Sequence, residues 1–494
     1  MPKATKPAVR DSQFLPSSTF ILDNGAFSMK AGFAPSLPLA DADTLKRCHA
    51  VQNSLARTRD KRTYVAAQQD NISQWSEAIF RRPVERGQLV NWEAEKEIWD
   101  CSFFDEKTAH TDLFVKEPDS TTLILTEAPN TMQALQRNAD EIIMEEWGFG
   151  GYARIVGQSL NAYNDLHPLF GETDRSPSLE THPRAQECLL VVDSGYSHTI
   201  ITPLYNGVPI QRAIRRVDLG GKHLTNLLKE VVSLRYFDLH QDTKIVNDIK
   251  EDVCFVSSNY KMDMEQTWKG NTARWRKSEK TAPPTLEDKA DNDGSMDIDK
   301  PSSLSPPCPV PDPPGLIDYV LPDGFRIPRG FSRSHDPLTH RKQKRQANEP
   351  SSASGVGDEI SMTLGSERFS IPEILFTPSD IGSRQPGIAE AVMQSLSVLP
   401  PALQATLLSN ILVVGGNARM KGFVRRVQDE LRMLAPVEYE VRVRAMEDPV
   451  TSTWLGGARM AGNREVVRKI GVSKEEYAEF GSGWVGRRFA AVGR

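Results

Sequence analysis

Two acidic turns and a glycine pair are the residues in this sequence whose types and spacing best suit phosphate chemistry. The first turn reads Leu22-Asp23-Asn24-Gly25-Ala26-Phe27-Ser28-Met29-Lys30 and the second Val192-Asp193-Ser194-Gly195-Tyr196-Ser197. The glycine pair follows Val414, as Gly415-Gly416-Asn417. A strand that ends in Asp and a tight Gly turn can aim backbone N–H groups at phosphate oxygens. Two carboxylates facing such a site can hold a hydrated Mg²⁺ through its waters. A glycine pair ahead of the helical run Phe423 to Leu434 lets a sugar or base approach the backbone closely. One Asp-x-Gly turn alone describes an ordinary hairpin. Two of them and the glycine pair, in this order and about 170 and 220 residues apart, are far more specific.

The elements that must position these residues are short and apolar. Phe20-Ile21-Leu22, Thr122 to Leu125, Cys188 to Val192 and Ile411 to Val414 read as buried strands, with helical patterns over Thr131 to Trp147 and Gly221 to Leu234 between them. Alternating strands and helices predict an α/β protein whose sheets are covered by helices. No fixed-period repeat suggests a solenoid or propeller. The 494 residues allow about three domains and more than one core. With 39% hydrophobic and 25% charged residues and a net charge of −5, the chain is not a polycation built to coat nucleic acid. No apolar run approaches the ~20 residues of a membrane span, and the first twenty residues carry no apolar leader. Neither a membrane-spanning nor a secreted protein is expected.

Other signals are read as structural. Cys48, Cys101, Cys188, Cys254 and Cys308 form no CxxC pair, which disfavours a disulfide framework or zinc knuckle. The first four are expected in the core and Cys308, in a Pro-rich stretch, at the surface. The nine histidines form no HxH or HxxxH grouping, so no metal site is expected among them. Trp92, Trp99 and Trp147 read as core. Trp268 and Trp275, amid Lys and Arg, either contact a partner or anchor a helix end. Gly481-Ser482-Gly483-Trp484-Val485-Gly486 matches GxGxxG, but no strand precedes it and no helix is expected to open there, so it is not a dinucleotide fingerprint.

Two stretches break the pattern. Glu279 to Asp318 holds nine prolines and nine acidic residues against three lysines. Such a segment cannot bury enough apolar surface to offset its ordering entropy and is read as disordered. A second irregular stretch, about 331–358, contains Arg341, Lys342, Lys344 and Arg345, then a Ser-rich tail. Between them Leu316 to Leu321, followed by Pro322-Asp323-Gly324, reads as a strand ending in a turn. The basic cluster is a solvated charge run, a nuclear import signal or a contact to DNA phosphates. The acidic stretch is a spacer or a contact to basic histone surfaces.

With these residues in place, the chain resembles actin and the actin-related proteins over nearly its whole length. Further matching words are Arg86-Gly87-Gln88-Leu89-Val90-Asn91-Trp92, Leu125-Thr126-Glu127-Ala128-Pro129, Asp248-Ile249-Lys250-Glu251, Asn410 to Gly416, Trp454-Leu455-Gly456-Gly457 and Ser473 to Tyr477. Within the family, Val192 to Ser197, Gly220 to Glu230 and Lys250 to Ser257 are similar to a nuclear, actin-related branch. The resemblance implies an actin-like fold, shared with heat-shock chaperones and hexokinases, with two lobes around a nucleotide cleft. It divides the chain into a flexible 1–18, subdomains 1 and 2 over 19–184 with subdomain 2 shortened, subdomains 3 and 4 over 185–448, and a return to subdomain 1 over 449–494. Insertions interrupt the third of these at about 270–315 and 331–358.

The same resemblance assigns roles. Asp23, Asn24, Gly25, Ala26, Lys30, Asp193, Ser194 and Gly195 fall on the phosphate side. Gly221, Lys250, Glu251, Gly415, Gly416, Arg419 and Met420 fall where the adenosine of ATP or ADP is held. Asp23 and Asp193 would hold Mg²⁺ through water. Arg419 either stacks on a base or fills the pocket. The departures weigh against turnover: Ala26-Phe27 replaces Ser-Gly, Tyr196 replaces an Asp, and Ile200 replaces a His. The water-orienting glutamine falls on Gly157, with Gln158 one residue beyond. Orienting water needs placement within about 1 Å, so ATP hydrolysis is not expected, and nucleotide would serve as a structural ligand. The loop between Gly32 and Tyr64 is short, and Arg57 to Arg62 is highly charged, so actin-like self-polymerisation is not expected.

The function implied is a non-catalytic subunit of a nuclear chromatin-remodelling complex of the SWR type, which exchanges a histone variant into nucleosomes. Its partners would be the motor ATPase, RuvB-like helicases and a zinc-finger HIT subunit, with histones or nucleosomal DNA in reach. An active ATPase of the same superfamily, and an independent histone- or DNA-binding module, are the alternatives.

Overall fold

The computed structural model describes residues 15–36, 39–72, 75, 78–171, 185–267, 315–322, 327–335 and 359–492. Cys308, Trp268, Trp275, the basic cluster Arg341, Lys342, Lys344 and Arg345, and most of the two insertions lie outside the described residues.

Two large sheets share one wiring. In the first, Ser18–Asp23 runs antiparallel to Ser28–Phe33 and parallel to Thr121–Glu127, which is parallel to Gly151–Val156. Val472–Ser473 and His49–Gln52 close its two edges. In the second, Cys188–Ser194 runs antiparallel to Thr199–Tyr205 and parallel to Ile411–Val414, which is parallel to Val443–Ala445. The duplication has no counterpart in a sequence repeat. It places Asp23 and Asp193 alike, at the carboxyl end of the leading strand, where parallel sheets bind ligands.

The strands read as apolar throughout because both faces are covered. Phe20 and Leu22 enter one core with Leu123 and Leu125, while Ile21 and Ile124 enter another with Trp454 on the opposite face. In the second sheet Leu190, Val192, Ile411 and Val413 face one core, and Leu189, Val191, Leu412 and Val414 the other. A period of two on a sheet packed on both faces leaves no polar face to alternate with. Trp99 is core as expected and stacks on Trp147 with ring centroids 4.6 Å apart, while Trp147 and Trp92 are half-buried and pack against that core from its edge.

Each lobe also carries a small sheet. Leu55–Arg57 pairs with Thr63–Val65 and Ile79–Arg81, and Ile317–Val320 with Phe331–Ser334 and Ser361–Leu364. The second pairing corrects the boundary expected near 331, because Phe331–Ser334 is an ordered strand held by a partner 14 residues or so upstream. The chain also leaves the first lobe before 184: Ala162, Leu166 and Phe170 already pack on the second sheet. Residues 15–18 are not loose, since Ser18 pairs with Thr121 and Arg464 donates to the Pro16 carbonyl. Gly481, with φ 73°, kinks Lys474–Val492 and opens its second helical half, so the GxGxxG motif does start a helix, but one that follows a helix. Of the four cysteines expected in the core only Cys254 is buried; Cys48, Cys101 and Cys188 are half-buried. Among the described residues no helix is long and apolar enough to cross a membrane.

Candidate functional site

The two acidic turns face each other across a cleft of about 1420 Å³ between the lobes. On the first turn, Asp23 Oδ1 accepts from Thr126 Oγ1 at 2.9 Å, and Lys30 Nζ lies 3.7 Å from Asp23 Oδ2. On the second, Asp193 Oδ2 accepts from Gln158 Nε2 at 2.6 Å. Burial pushes the Asp193 carboxyl up to about 6, with the Gln158 amide pulling it down and the Asp23 charge adding to the rise. A carboxylate this buried beside another is short of positive charge, which is what a hydrated divalent cation would supply.

The side of the cleft where the resemblance would place the adenosine is assembled from three segments. Gly415, at φ 94°, cannot carry a side chain, because a Cβ would run into the Ser194 carbonyl, whereas Gly416 faces open space. A Cβ on Gly221 would sit 3.2 Å from Asn417 Oδ1 and 3.6 Å from Lys250 Nζ. Lys250 is buried and donates to Thr225 Oγ1 at 3.1 Å and Asn247 Oδ1 at 2.8 Å, both neutral. Burial therefore lowers its pKa, with the Glu251 carboxylate opposing. Glu251 Oε1 accepts from Asn247 Nδ2 at 2.7 Å.

Most residues singled out in the sequence line this cleft: Asp23, Asn24, Gly25, Ala26, Lys30, Asp193, Gly195, Gly221, Lys250, Glu251, Gly415, Gly416, Arg419 and Met420. Ser194 does not. It points behind the turn, fully buried, with Oγ 3.0 Å from Thr199 Oγ1 and accepting from Asn417 Nδ2 at 3.0 Å. The period of two makes this inevitable: if Asp193 faces the cleft, its neighbour faces away. The Asn24 amide also turns inward, donating to Glu95 Oε1 at 2.6 Å. Arg419 is held over Asp448 by two bonds of 3.1 and 2.7 Å rather than left free for a base. Gln158, next to Gly157, is the residue whose side chain reaches Asp193. The short helix that carries it, Gly157–Leu160, starts at Gly157.

Sequence reasoning missed three residues here. Glu95 is fully buried and receives Asn24 Nδ2 and Trp99 Nε1, the latter at 3.0 Å. Burial pushes it up to about 7 against the hydrogen bonds of Asn24, Trp99 and Asn53. Its place one helical turn before Ile98 and Trp99 was the available signal. Arg82 bridges both turns from behind, and Asn417 fastens the glycine pair to the second turn through the Gly195 carbonyl at 2.9 Å. Outside the cleft lining, His49, His110 and Asp112 each bring a ligand-type atom to within 4.8 Å of the others. Sequence spacing predicted no such grouping, because only the fold sets the edge strand His49–Gln52 beside residues 110–112.

Two lobes with duplicated sheets, joined around a cleft with one acidic turn from each, define an actin-type nucleotide-cleft protein. The actin family model matches residues 14–490, and the chain belongs to the actin family. It is 48% identical to the Actin-like protein arp6 of Aspergillus fumigatus over 99% of this chain and 98% of that one. It is 42% identical to Actin-related protein 6 of Neurospora crassa, over 96% and 95% of the two chains. With Actin-related protein 6 of Drosophila melanogaster the identity is 30%, over 96% and 100%.

Proposed function

We propose that this chain is a non-catalytic actin-related subunit of a nuclear chromatin-remodelling complex of the SWR type, a scaffold that joins the motor to other subunits and the nucleosome. Support for the branch comes from near-full-length similarity to proteins named for actin-related protein 6. The observation that carries the non-catalytic part is the set of groups around the carboxylates. Ala26 and Ile200, which line the cleft beside them, bring no group able to move a proton.

The residues present fit a Mg-nucleotide as a structural ligand. Asp23 and Asp193 would hold the cation through water, and Gln158 Oε1, buried without a partner, is an acceptor for one such water. Lys30 and the Gly25 and Gly195 turns would face phosphates, and Lys250, Glu251 and the Gly415-Gly416 pair the nucleoside. The bound nucleotide supplies charge and packing between the lobes, stabilising the closed molecule by mass action. The short, charged turn Arg57 to Arg62 is closed on itself, Thr58 and Arg62 pairing through backbone at 3.0 Å, which suits a protein that does not polymerise as actin does.

The test is purification of the tagged chain from nuclear extract with mass spectrometry of what stays bound. Recovery of an SWR-type motor, RuvB-like helicases and a zinc-finger HIT subunit is expected. Recovery of cytoskeletal proteins, or of the chain alone, overturns the assignment. In a single-turnover assay the purified chain is expected to release no phosphate above buffer; a rate abolished by Asp193→Ala would show an active ATPase instead.

A further inference from the structure

The two positions at which the acidic turns depart most from the actin pattern touch each other. Phe27, at the tip of the first turn, and Tyr196, at the tip of the second, have ring centroids 5.1 Å apart, tilted by 45°. Arg82, the residue just after the strand Ile79–Arg81 of the first lobe's small sheet, lies over both rings, its guanidinium carbon 4.9 Å from the Phe27 centroid and 5.0 Å from that of Tyr196. Its Nη1 also faces the carbonyls of Ala26, Phe27 and Asn53 at 3.4, 3.2 and 3.4 Å. Other contacts cross the lobes nearby. Arg216 Nη2 donates to the Arg86 carbonyl at 2.7 Å, and Gly87, at φ 76°, lies so close to His198 that a Cβ there would overlap the imidazole.

Rings at this separation are in van der Waals contact. A cation over their faces adds electrostatic attraction that burial strengthens. The space between the two turn tips is therefore occupied by these two rings, where the actin pattern has Gly and Asp. Where two glycine-rich tips would need a terminal phosphate between them to be drawn together, these tips are drawn together by their own residues.

We propose that Phe27, Arg82 and Tyr196 form an inter-lobe clasp that takes the place of a nucleotide's terminal phosphate. The cleft closes without that phosphate and admits no more than a nucleoside diphosphate. This rests on reading the cleft as a nucleotide site. Arg82 acts as a positioning residue, fixing the rings from behind without lining the cleft.

Two measurements on the full chain test it separately. Calorimetric titration with Mg-ADP and with a non-hydrolysable Mg-ATP analogue is expected to show at least tenfold tighter binding of the diphosphate. In Phe27→Gly/Tyr196→Asp the ratio should fall to within about twofold. Equal binding by the wild type, or an unchanged ratio in the double variant, overturns the selectivity. Hydrogen exchange of the two turns in nucleotide-stripped protein reads the clasp without any ligand. Slow exchange in the wild type is expected, accelerated at least tenfold by Phe27→Ala or by the milder Arg82→Met. If the stripped wild type exchanges as fast as Phe27→Ala, no clasp exists. If neither nucleotide binds while the turns stay protected in the wild type alone, the clasp stands, and the nucleotide reading and the selectivity fall.

Discussion

At the residue scale, Glu95 is the group whose chemistry departs furthest from its sequence context. Among the described residues it has no cation partner; its neighbours are the amides of Asn24 and Asn53 and the Trp99 indole. An unfolded glutamate titrates near 4.5 and the folded one at about 7, so between these values the native state holds the extra proton. Its stabilising contribution is therefore complete below pH 4.5 and is lost as pH rises through about 7, a change on the order of 3 kcal/mol. Glu95→Gln keeps an acceptor for Asn24 and Trp99 and removes the titration. Urea unfolding from pH 5 to 8 should show the wild type losing stability relative to the variant; parallel curves would show that Glu95 does not titrate in this window. The carboxyl was visible as a letter, but its protonation depends on which side chains the fold stacks around it. The pairing of Phe27 with Tyr196 was equally hidden. Each was legible as a departure at its own position, and only the approach of two turns remote in sequence makes them one feature.

At the element scale, the turn holding Gln158 depends on a close helix contact. Ser452–Ala461 lies against Gly157–Leu160, and a Cβ on Gly456 would overlap the Leu160 carbonyl. The Asn161 and Asn164 amides reach across to Thr453 Oγ1 at 3.1 Å and the Ser452 carbonyl at 3.0 Å, tying the two segments together. Gly456→Ala should cost about 1–3 kcal/mol through overpacking, read as a lower urea midpoint. It should also shift the Gln158 side-chain amide resonance, which a loss of stability elsewhere would leave in place. The insertions need equal care at this scale. Removing 279–357 as one block would delete Ile317–Val320, the central strand of a small sheet, with Tyr319 fully buried. Separate deletions of 279–314 and 336–357 spare that strand. Each is expected to leave the melting temperature within a few degrees of wild type, whereas the block deletion should lower it sharply. If a split deletion removes nucleosome binding and keeps the partner subunits, the histone or DNA contact lies in that segment.

At the scale of the whole molecule, the lobes are joined by interactions of unlike kinds. Gln158 with Asp193 and the ring contact of Phe27 with Tyr196 hold the floor and middle of the cleft, and Lys244, on the helix Thr243–Val253, sits over the Trp75 ring, 6.0 Å from its centroid. A nucleotide held in this cleft would be one tie among several. Replacing Arg341, Lys342, Lys344 and Arg345 together with Ala should shift a fluorescent fusion from nucleus to cytoplasm; an unchanged nuclear signal would assign import to another segment or to a partner.

The sequence by itself determined the fold class, the order of the site words and the positions of most cleft residues, because apolar strand runs and glycine turns are local consequences of residue type. It also showed the departures from the actin pattern at Ala26, Phe27, Tyr196 and Ile200, since each is a change at a single position. Only the tertiary structure decided that Ser194 faces away, that Arg419 is committed to Asp448, that Gln158 reaches Asp193, and that Phe27, Arg82 and Tyr196 meet. Those outcomes are set by pleat direction and by contacts between residues far apart in the chain. Such contacts depend on how two lobes close, which no local pattern encodes.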